Sequence, residues 1–239
     1  MRGDALYAIL SRTLDMMVWG GELSADSEPL PSGPAVFVSN HAGAMGPIAV
    51  TSSVRVRFHP WVIGDMLDLQ TAGPYLREDF VKPTLHVPEP MATSISNSLA
   101  HVTVALLRTI GCIPVFHDKD LLETYRLSDD YLAMGRGLLI FPEDPKQSLN
   151  SRTGLRPFQT GFAHLGSLFA QRTGHGLKFY PIAVHRNLLR VQLGQPVTYN
   201  PNNQPAAERR RIAHLLESII AAMLASDDRQ LQAAIHQTP

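Results

Sequence analysis

The chain has 239 residues, 44% of them hydrophobic and 18% charged, which is enough for one large domain or two small ones with a substantial core. Its 21 basic and 21 acidic residues give a net charge of zero, which excludes the basic footprint of a nucleic-acid-binding protein. The single cysteine, Cys112, excludes an intramolecular disulfide and a cysteine metal cluster, and the spacing of the ten histidines excludes a helical zinc pair.

Residues with helical or strand periodicity alternate along the chain. Predicted helices cover residues 5–19, 47–54, 94–108, 120–134, 157–171 and 205–225. Predicted strands cover residues 36–39, 59–64, 112–116, 138–141, 178–184 and 189–193, and residues 65–90 are predicted to be irregular. The alternation predicts an α/β fold with a mainly parallel central sheet flanked by helices. We expect a single domain over residues 1–239, with an amphipathic helix at 1–20 and a helical segment at 205–239.

Membrane association is left open by the sequence. No apolar run approaches the roughly 20 residues that span a bilayer, and the first residues lack the pattern of a secretory signal. The helix at 1–20 either lies in a membrane interface, with Trp19 at the headgroups, or packs on the core. We therefore expect a cytoplasmic protein, with peripheral attachment to the inner face of the cytoplasmic membrane as the alternative to a fully soluble one.

Two polar segments follow predicted strands. Asn40-His41 comes directly after the apolar run 35–39, and Phe141-Pro142-Glu143 ends the run that begins at Gly137. Ligands bind at the carboxyl ends of parallel strands, and an imidazole can take a proton from a hydroxyl near neutral pH. The sequence therefore predicts that His41 and Glu143 line one cleft, although a strand-end histidine and a proline turn can also be purely structural.

In this order and at this separation, the two segments resemble the main motifs of the glycerolipid acyltransferase family, of the 1-acylglycerol-3-phosphate and glycerol-3-phosphate type. Those motifs are Asn-His followed by four residues and Asp, then Phe-Pro-Glu-Gly-Thr-Arg-Ser. Gly111-Cys112-Ile113-Pro114-Val115-Phe116-His117 resembles a third motif, and Tyr180-Pro181-Ile182 with Gly194-Gln195-Pro196 a fourth. The likeness extends in order from about residue 35 to residue 197, and implies an acyltransferase-like fold.

The resemblance also implies roles for individual residues. His41 would be the general base that moves an acyl chain from a thioester to a hydroxyl. Glu143 would contact the glycerol moiety of the acceptor, and Lys146, at the family's Arg position, would meet a phosphate. His117 stands where the family has Arg, with Lys119 nearby as a compensating charge, so both are predicted to bind the acceptor.

The main departure from the family pattern is Gly46, which stands where the family has the Asp that holds the other ring nitrogen of the histidine. Because Pro47 follows, Gly46 is predicted to lie just outside the next helix. Restoring Asp at position 46 is expected to raise activity, provided that the backbone lets the carboxylate point at the ring. Asp65 and Asp118 are the other carboxylates that folding could bring to His41. Asp144 replaces a glycine and adds negative charge beside any phosphate.

The leading hypothesis is an O-acyltransferase of phospholipid biosynthesis and lipid metabolism. It would use an acyl-CoA or acyl carrier protein thioester as co-substrate and a lyso-lipid or similar molecule as acceptor. A membrane surface is a further candidate partner, and neither a cofactor nor a metal is expected. The alternative is a catalytically impaired member that binds a lipid or acyl chain or serves as a partner protein. A hydrolase is disfavoured because Gly-x-Ser-x-Gly is lacking, and Cys112 is interpreted as a buried thiol.

Overall fold

A computed structural model of the protein describes residues 2–16, 21–25, 32–43, 45–116, 121–185 and 189–236. The α-helices within these ranges are α1 Arg2–Leu14, α2 Met45–Ser53, α3 Leu69–Leu76, α4 Lys82–Leu85, α5 Met91–Ile110, α6 Leu121–Ala133, α7 His164–Thr173 and α8 Pro205–His236. Shorter helical turns cover Gly64–Leu67, Arg77–Val81 and Gly161–Ala163. None of the described helices is both long and apolar enough to cross a membrane.

The strands form one mixed sheet in the order β1-β7-β6-β2-β5-β3-β4, with β8 paired to β6. They are β1 Glu22–Ala25, β2 Ala35–Ser39, β3 Phe58–Ile63, β4 Ile113–Val115, β5 Gly137–Ile140, β6 Lys178–His185, β7 Arg190–Leu193 and β8 Val197–Thr198. Strands β6, β2, β5, β3 and β4 run parallel, whereas β7 and β8 are antiparallel to β6. The predicted α/β class with a mainly parallel sheet is therefore confirmed.

Helices cover both faces of the sheet because its central strands are apolar on both sides. On one face Val36, Val38, Leu138 and Ile140 pack in a core shared with α6, α7 and α8. On the other face Phe37, Leu139 and Ile182 pack with Ala49 and Val50 of α2. Burial on both faces explains why β2 and β5 have continuous apolar sequences.

Several predicted element boundaries are wrong. Residues 65–90 are largely helical, with Pro74 inside α3, so the expectation of an irregular segment fails. Helix α5 begins at Met91, which places Ser94 inside the helix and not at its N-cap. Pro157 does not open a helix, because Phe158 pairs with Glu143 as an isolated antiparallel bridge and the helix begins beyond it. Strands β1 and β8 were not predicted.

Helix α1 packs against the core through polar as well as apolar contacts. Tyr7 is buried, and its hydroxyl accepts the backbone N–H of Phe58 at 3.3 Å. The Ser11 hydroxyl donates to the carbonyl of Thr51 at 2.7 Å. Burial raises the pKa of Tyr7 to about 12. Of the two sequence-based alternatives for this helix, packing on the core is therefore present in the structure.

A buried carboxylate organises the start of α8. Glu208 is fully buried, and its oxygens accept the backbone N–H of Asn200 at 2.8 Å, Nδ2 of Asn203 at 2.7 Å and Nε of Arg211 at 2.8 Å. A further hydrogen bond comes from Nη2 of Arg211. The hydrogen bonds from Arg211 are the largest cause that lowers the pKa of Glu208 to about 2. This carboxylate ties the loop after β8 to the first turn of the helix.

Candidate active site

The register of β2 and β5 brings His41 and Glu143 together. Val38 pairs with Ile140 in parallel, so continuing both chains by three residues places His41 opposite Glu143 at the carboxyl edge of the sheet. The backbone N–H of His41 donates to Oε1 of Glu143 at 2.8 Å. The two residues that sequence analysis singled out, 102 positions apart, are therefore in direct contact.

Asn40 fixes the other side of this strand end. Its side-chain Oδ1 accepts the backbone N–H of Val184 at 2.8 Å, and its Nδ2 donates to the Val184 carbonyl at 3.2 Å. The side-chain amide thus continues the ladder between β2 and β6 beyond the last backbone pair. Asn40 is buried, so these bonds also satisfy polar atoms that have no access to water.

Glu143 holds a second segment as well. Its Oε2 accepts the backbone N–H of Arg156 at 3.0 Å. On either side of Glu143, the backbone N–H of Gln159 donates to the Pro142 carbonyl, and that of Asp144 to the Pro157 carbonyl. The chain after β5 therefore folds back on itself, and the Glu143 carboxylate lies between this return segment and His41.

The loop after His41 is tightly closed. Ala42 and Gly43 have positive φ angles of 42° and 67°, and the N–H of Gly46 donates to the Gly43 carbonyl at 3.2 Å. An added Cβ on Gly46 would overlap the carbonyl oxygen of His41 and lie 2.7 Å from its carbonyl carbon. Gly46 belongs to the first turn of α2, so the expectation that it lies outside the helix is wrong. The structure leaves no room for the Asp that the family pattern has at this position.

The imidazole of His41 reaches solvent but has protein on several sides. Its ring stands edge-on to Phe141, with 5.3 Å between centroids. Desolvation is the largest effect on the ring and lowers its pKa from the ordinary 6.5; the Arg156 guanidinium lowers it further, whereas the Glu143 carboxylate and a hydrogen bond to the backbone of Gly43 raise it. The net direction is down, which favours the neutral imidazole at neutral pH.

No carboxylate among the described residues hydrogen-bonds to the His41 ring. Among the described residues, Glu143 and Arg156 are the charged groups that act on the ring, and Asp65 is not one of them. Asp118 lies outside the described residues. Within the described part of the chain, the backbone of Gly43 is the group that hydrogen-bonds to the ring.

The structure describes some, but not all, of the remaining predicted site residues. Lys146 lies on an exposed turn, where its backbone N–H donates to Oδ1 of Asp144 at 3.0 Å. His117 and Lys119 lie outside the described residues. Burial raises the pKa of Cys112 to about 12, which keeps this thiol protonated and unreactive. No group of three or more potential metal ligands occurs within the described ranges.

Sequence analysis missed Arg156. It is half-buried, its Nε donates to the Gln147 carbonyl at 2.8 Å, and its charge reaches the His41 ring. Arg156 lies outside every motif segment, thirteen residues after Glu143, and only the return of the chain after β5 brings it to the site. The Arg156 guanidinium therefore supplies a permanent positive charge that acts on His41.

Comparisons with known proteins show a structural likeness but no match to a family model. No family model matches the chain, and no curated protein matches it. Among solved structures, the chain is similar to the 1-acyl-sn-glycerophosphate (LPA) acyltransferase PlsC from Thermotoga maritima. The TM-score is 0.45 and the identity 10%, with 89% of this chain and 80% of that chain covered.

Proposed function

We propose that the protein is an O-acyltransferase that transfers an acyl chain from a thioester to a hydroxyl, with His41 as the general base. The observation that supports this proposal most directly is the contact between His41 and Glu143 at the carboxyl edge of a parallel sheet. It joins the two segments whose sequences resemble the acyltransferase motifs. The proposed donor is acyl-CoA or an acyl carrier protein, and the proposed acceptor is a lyso-lipid or a similar alcohol.

The proposed reaction needs one proton to move twice. The free ring nitrogen of His41 removes the proton from the acceptor hydroxyl while its oxygen attacks the thioester carbonyl carbon. The tetrahedral intermediate then expels the thiolate, which receives the proton from the imidazolium. The products are an ester and a thiol, with no change of oxidation state. The lowered pKa of His41 suits this task, because the base has to be neutral before it can act.

We expect His41→Gln to reduce acyl transfer by roughly 100-fold or more, because a positioned general base contributes about 10²–10⁴-fold. The measurement is thiol release from acyl-CoA and from acyl carrier protein, with lyso-lipids that have or lack a phosphate and with simple alcohols as acceptors. In the pH profile of kcat/KM, the apparent pKa of the acid limb should lie below the ordinary pKa of histidine, since the pKa of His41 is lowered.

His175→Gln is the matched control, because this histidine lies on an exposed turn whose N–H donates to Thr173. It should retain full activity. Equal background rates in the wild type, His41→Gln and His175→Gln across all acceptors would contradict the enzymatic proposal.

A second candidate function is a lipid- or acyl-binding protein without turnover. It is favoured by the lack of a carboxylate on the His41 ring among the described residues and by the closed loop at Gly46. Loss of an orienting Asp costs about 10⁴-fold in a comparable triad. Saturable binding of a fluorescent fatty acid by a protein that releases no thiol would favour this candidate.

We also propose peripheral membrane attachment through the outer side of α1 and the turn that follows it, and expect Ile9→Glu with Met16→Glu to weaken liposome binding at least tenfold. These side chains are 64% and 83% exposed, and burying each in a bilayer interface contributes about 1.5 kcal/mol or more. Sedimentation with vesicles of phosphatidylcholine and phosphatidylglycerol measures the effect. Point substitutions test membrane contact alone, whereas removal of residues 1–20 would also remove the buried Tyr7 and disturb the core.

Leu122→Glu is the control for membrane attachment. Leu122 is 78% exposed on α6, which packs on the opposite face of the sheet. An equal loss in this variant would show that binding does not run through α1. A wild-type chain that stays in the supernatant at low salt would contradict attachment and favour an acyl carrier protein as donor.

A further inference from the structure

The Glu143 carboxylate is engaged on both oxygens by the protein's own backbone. Oε1 accepts the N–H of His41 and Oε2 accepts the N–H of Arg156, at 2.8 and 3.0 Å. Hydrogen bonds to an ionised carboxylate are roughly twice as strong as those between neutral groups. One side chain therefore joins the end of β2 to the return segment after β5.

This arrangement differs from the role that the family resemblance implies. A residue that recognises the acceptor presents its polar atoms to the cleft. Here the carboxylate is oriented by two backbone donors from segments 115 residues apart, at positions 41 and 156, before any substrate arrives. Both carboxylate oxygens accept hydrogen bonds from the protein backbone, and one of these bonds positions His41 directly.

Glu143 and Arg156 also place opposite charges around the imidazole. Of the described charged groups, these two act on the His41 ring. The carboxylate raises the pKa of the ring and the guanidinium lowers it. The hydrogen bond from the Arg156 N–H to the Glu143 carboxylate joins the segments that carry the two charges. The positions of both charges relative to the His41 ring are therefore set by the fold.

We propose that Glu143 is a positioning residue: its carboxylate clamps the backbones of His41 and Arg156, so that the imidazole is held between one negative and one positive charge, and it is not the group that recognises the acceptor. This inference rests on the proposed acyltransferase function for its kinetic consequences. The positioning of His41 and the effect of the two charges on its ring do not depend on whether the protein is an active enzyme.

The first test is an NMR titration of the full-length protein without substrate. The His41 ring signal is assigned by its loss in His41→Gln, and its pKa is measured in the wild type, Glu143→Gln and Arg156→Gln. The pKa should fall in Glu143→Gln and rise in Arg156→Gln, because the two substitutions remove charges of opposite sign. Asp144→Asn is the matched control, since the Asp144 carboxylate bonds the Lys146 N–H and does not act on the ring.

The second test separates positioning from acceptor recognition. In Glu143→Gln we expect kcat to fall at least tenfold while KM for the acceptor changes less than twofold, because the base is displaced and the acceptor contacts are kept. A tenfold rise in KM with kcat retained would overturn the proposal in favour of acceptor binding. An unchanged His41 pKa in either charge variant would overturn it as well.

The two readouts keep this inference distinct from the proposed function. If the wild type transfers no acyl group, the acyltransferase proposal fails, but the titration still decides whether Glu143 and Arg156 set the charge balance at His41. If Glu143→Gln does not fold, Arg156→Gln removes only a side chain whose backbone N–H stays in place. In that variant an unshifted pKa overturns the proposal and a raised one supports it.

Discussion

Gly46→Ala is expected to destabilise the protein by about 3 kcal/mol or more, which lowers Tm by roughly 6–12 °C for a chain of this size. The reason is steric and involves backbone atoms only. The new Cβ would overlap the His41 carbonyl oxygen and lie 2.7 Å from its carbon, and a backbone carbonyl cannot rotate away as a flexible side chain can. Relief requires a shift of the loop from His41 to Gly46, which also disturbs the bond from His41 to Glu143.

Gly161→Ala is the control for this substitution. Gly161 also lies at the start of a helical turn without a positive φ, but the nearest atom to its added Cβ is the Tyr125 hydroxyl oxygen, at an ordinary contact distance of 3.4 Å. Thermal unfolding of both variants by circular dichroism measures the difference. An unchanged Tm in Gly46→Ala would contradict the closed loop. Gly46→Asp carries the same Cβ, so we expect it to lose activity, contrary to the gain expected from sequence alone.

Glu208→Gln is expected to destabilise the protein by about 3 kcal/mol at neutral pH, because the buried charge-assisted bonds are lost and the Arg211 guanidinium loses its carboxylate partner. The effect should depend on pH. The folded pKa of Glu208 is lowered to about 2 from 4.5, so its ionised form stabilises the fold above pH 4.5, and this contribution is lost as the pH falls from 4.5 towards 2. The difference in free energy of unfolding between the wild type and Glu208→Gln should therefore become smaller as the pH falls from 4.5 towards 2.

Glu123→Gln is the control for the stability prediction. Glu123 also bonds an arginine three residues later, Arg126, but both side chains are about half exposed. Exposed pairs contribute roughly 0–1 kcal/mol, so this variant should unfold close to wild type. Urea denaturation between pH 3 and pH 7 measures both variants. A destabilisation by Glu208→Gln that stays constant over this range would contradict the assignment of the lowered pKa.

The central sheet could be predicted because its signal is local. Strands β2 and β5 are short apolar runs followed by polar residues, and their pattern needs no knowledge of the rest of the chain. The helices in residues 65–90 could not be foreseen. Pro74 favours a break by itself, but α3 packs closely on α5, where Gly73 lies against Asn97, and this tertiary contact overrides the local preference. Strand β1 was missed because four residues at a sheet edge, one exposed and three half-buried, carry little pattern.

The candidate site was predicted in part for the same reason. His41 and Glu143 end neighbouring strands, so the rule for parallel sheets brings them to one edge. The partners of the Glu143 carboxylate and the position of Arg156 depend on how the chain returns after β5. The backbone N–H of Phe158, which donates to the Glu217 carboxylate of α8, helps to hold this return segment. No spacing within residues 141–158 encodes a contact with a helix 59 residues away.

The close approach of the His41 carbonyl to Gly46 changes how related sequences should be compared at this position. A search pattern that demands Asp five residues after the histidine rejects any chain with this loop, whatever its chemistry. In this chain glycine at position 46 follows from the path of the backbone, so its presence is not by itself a sign of lost activity.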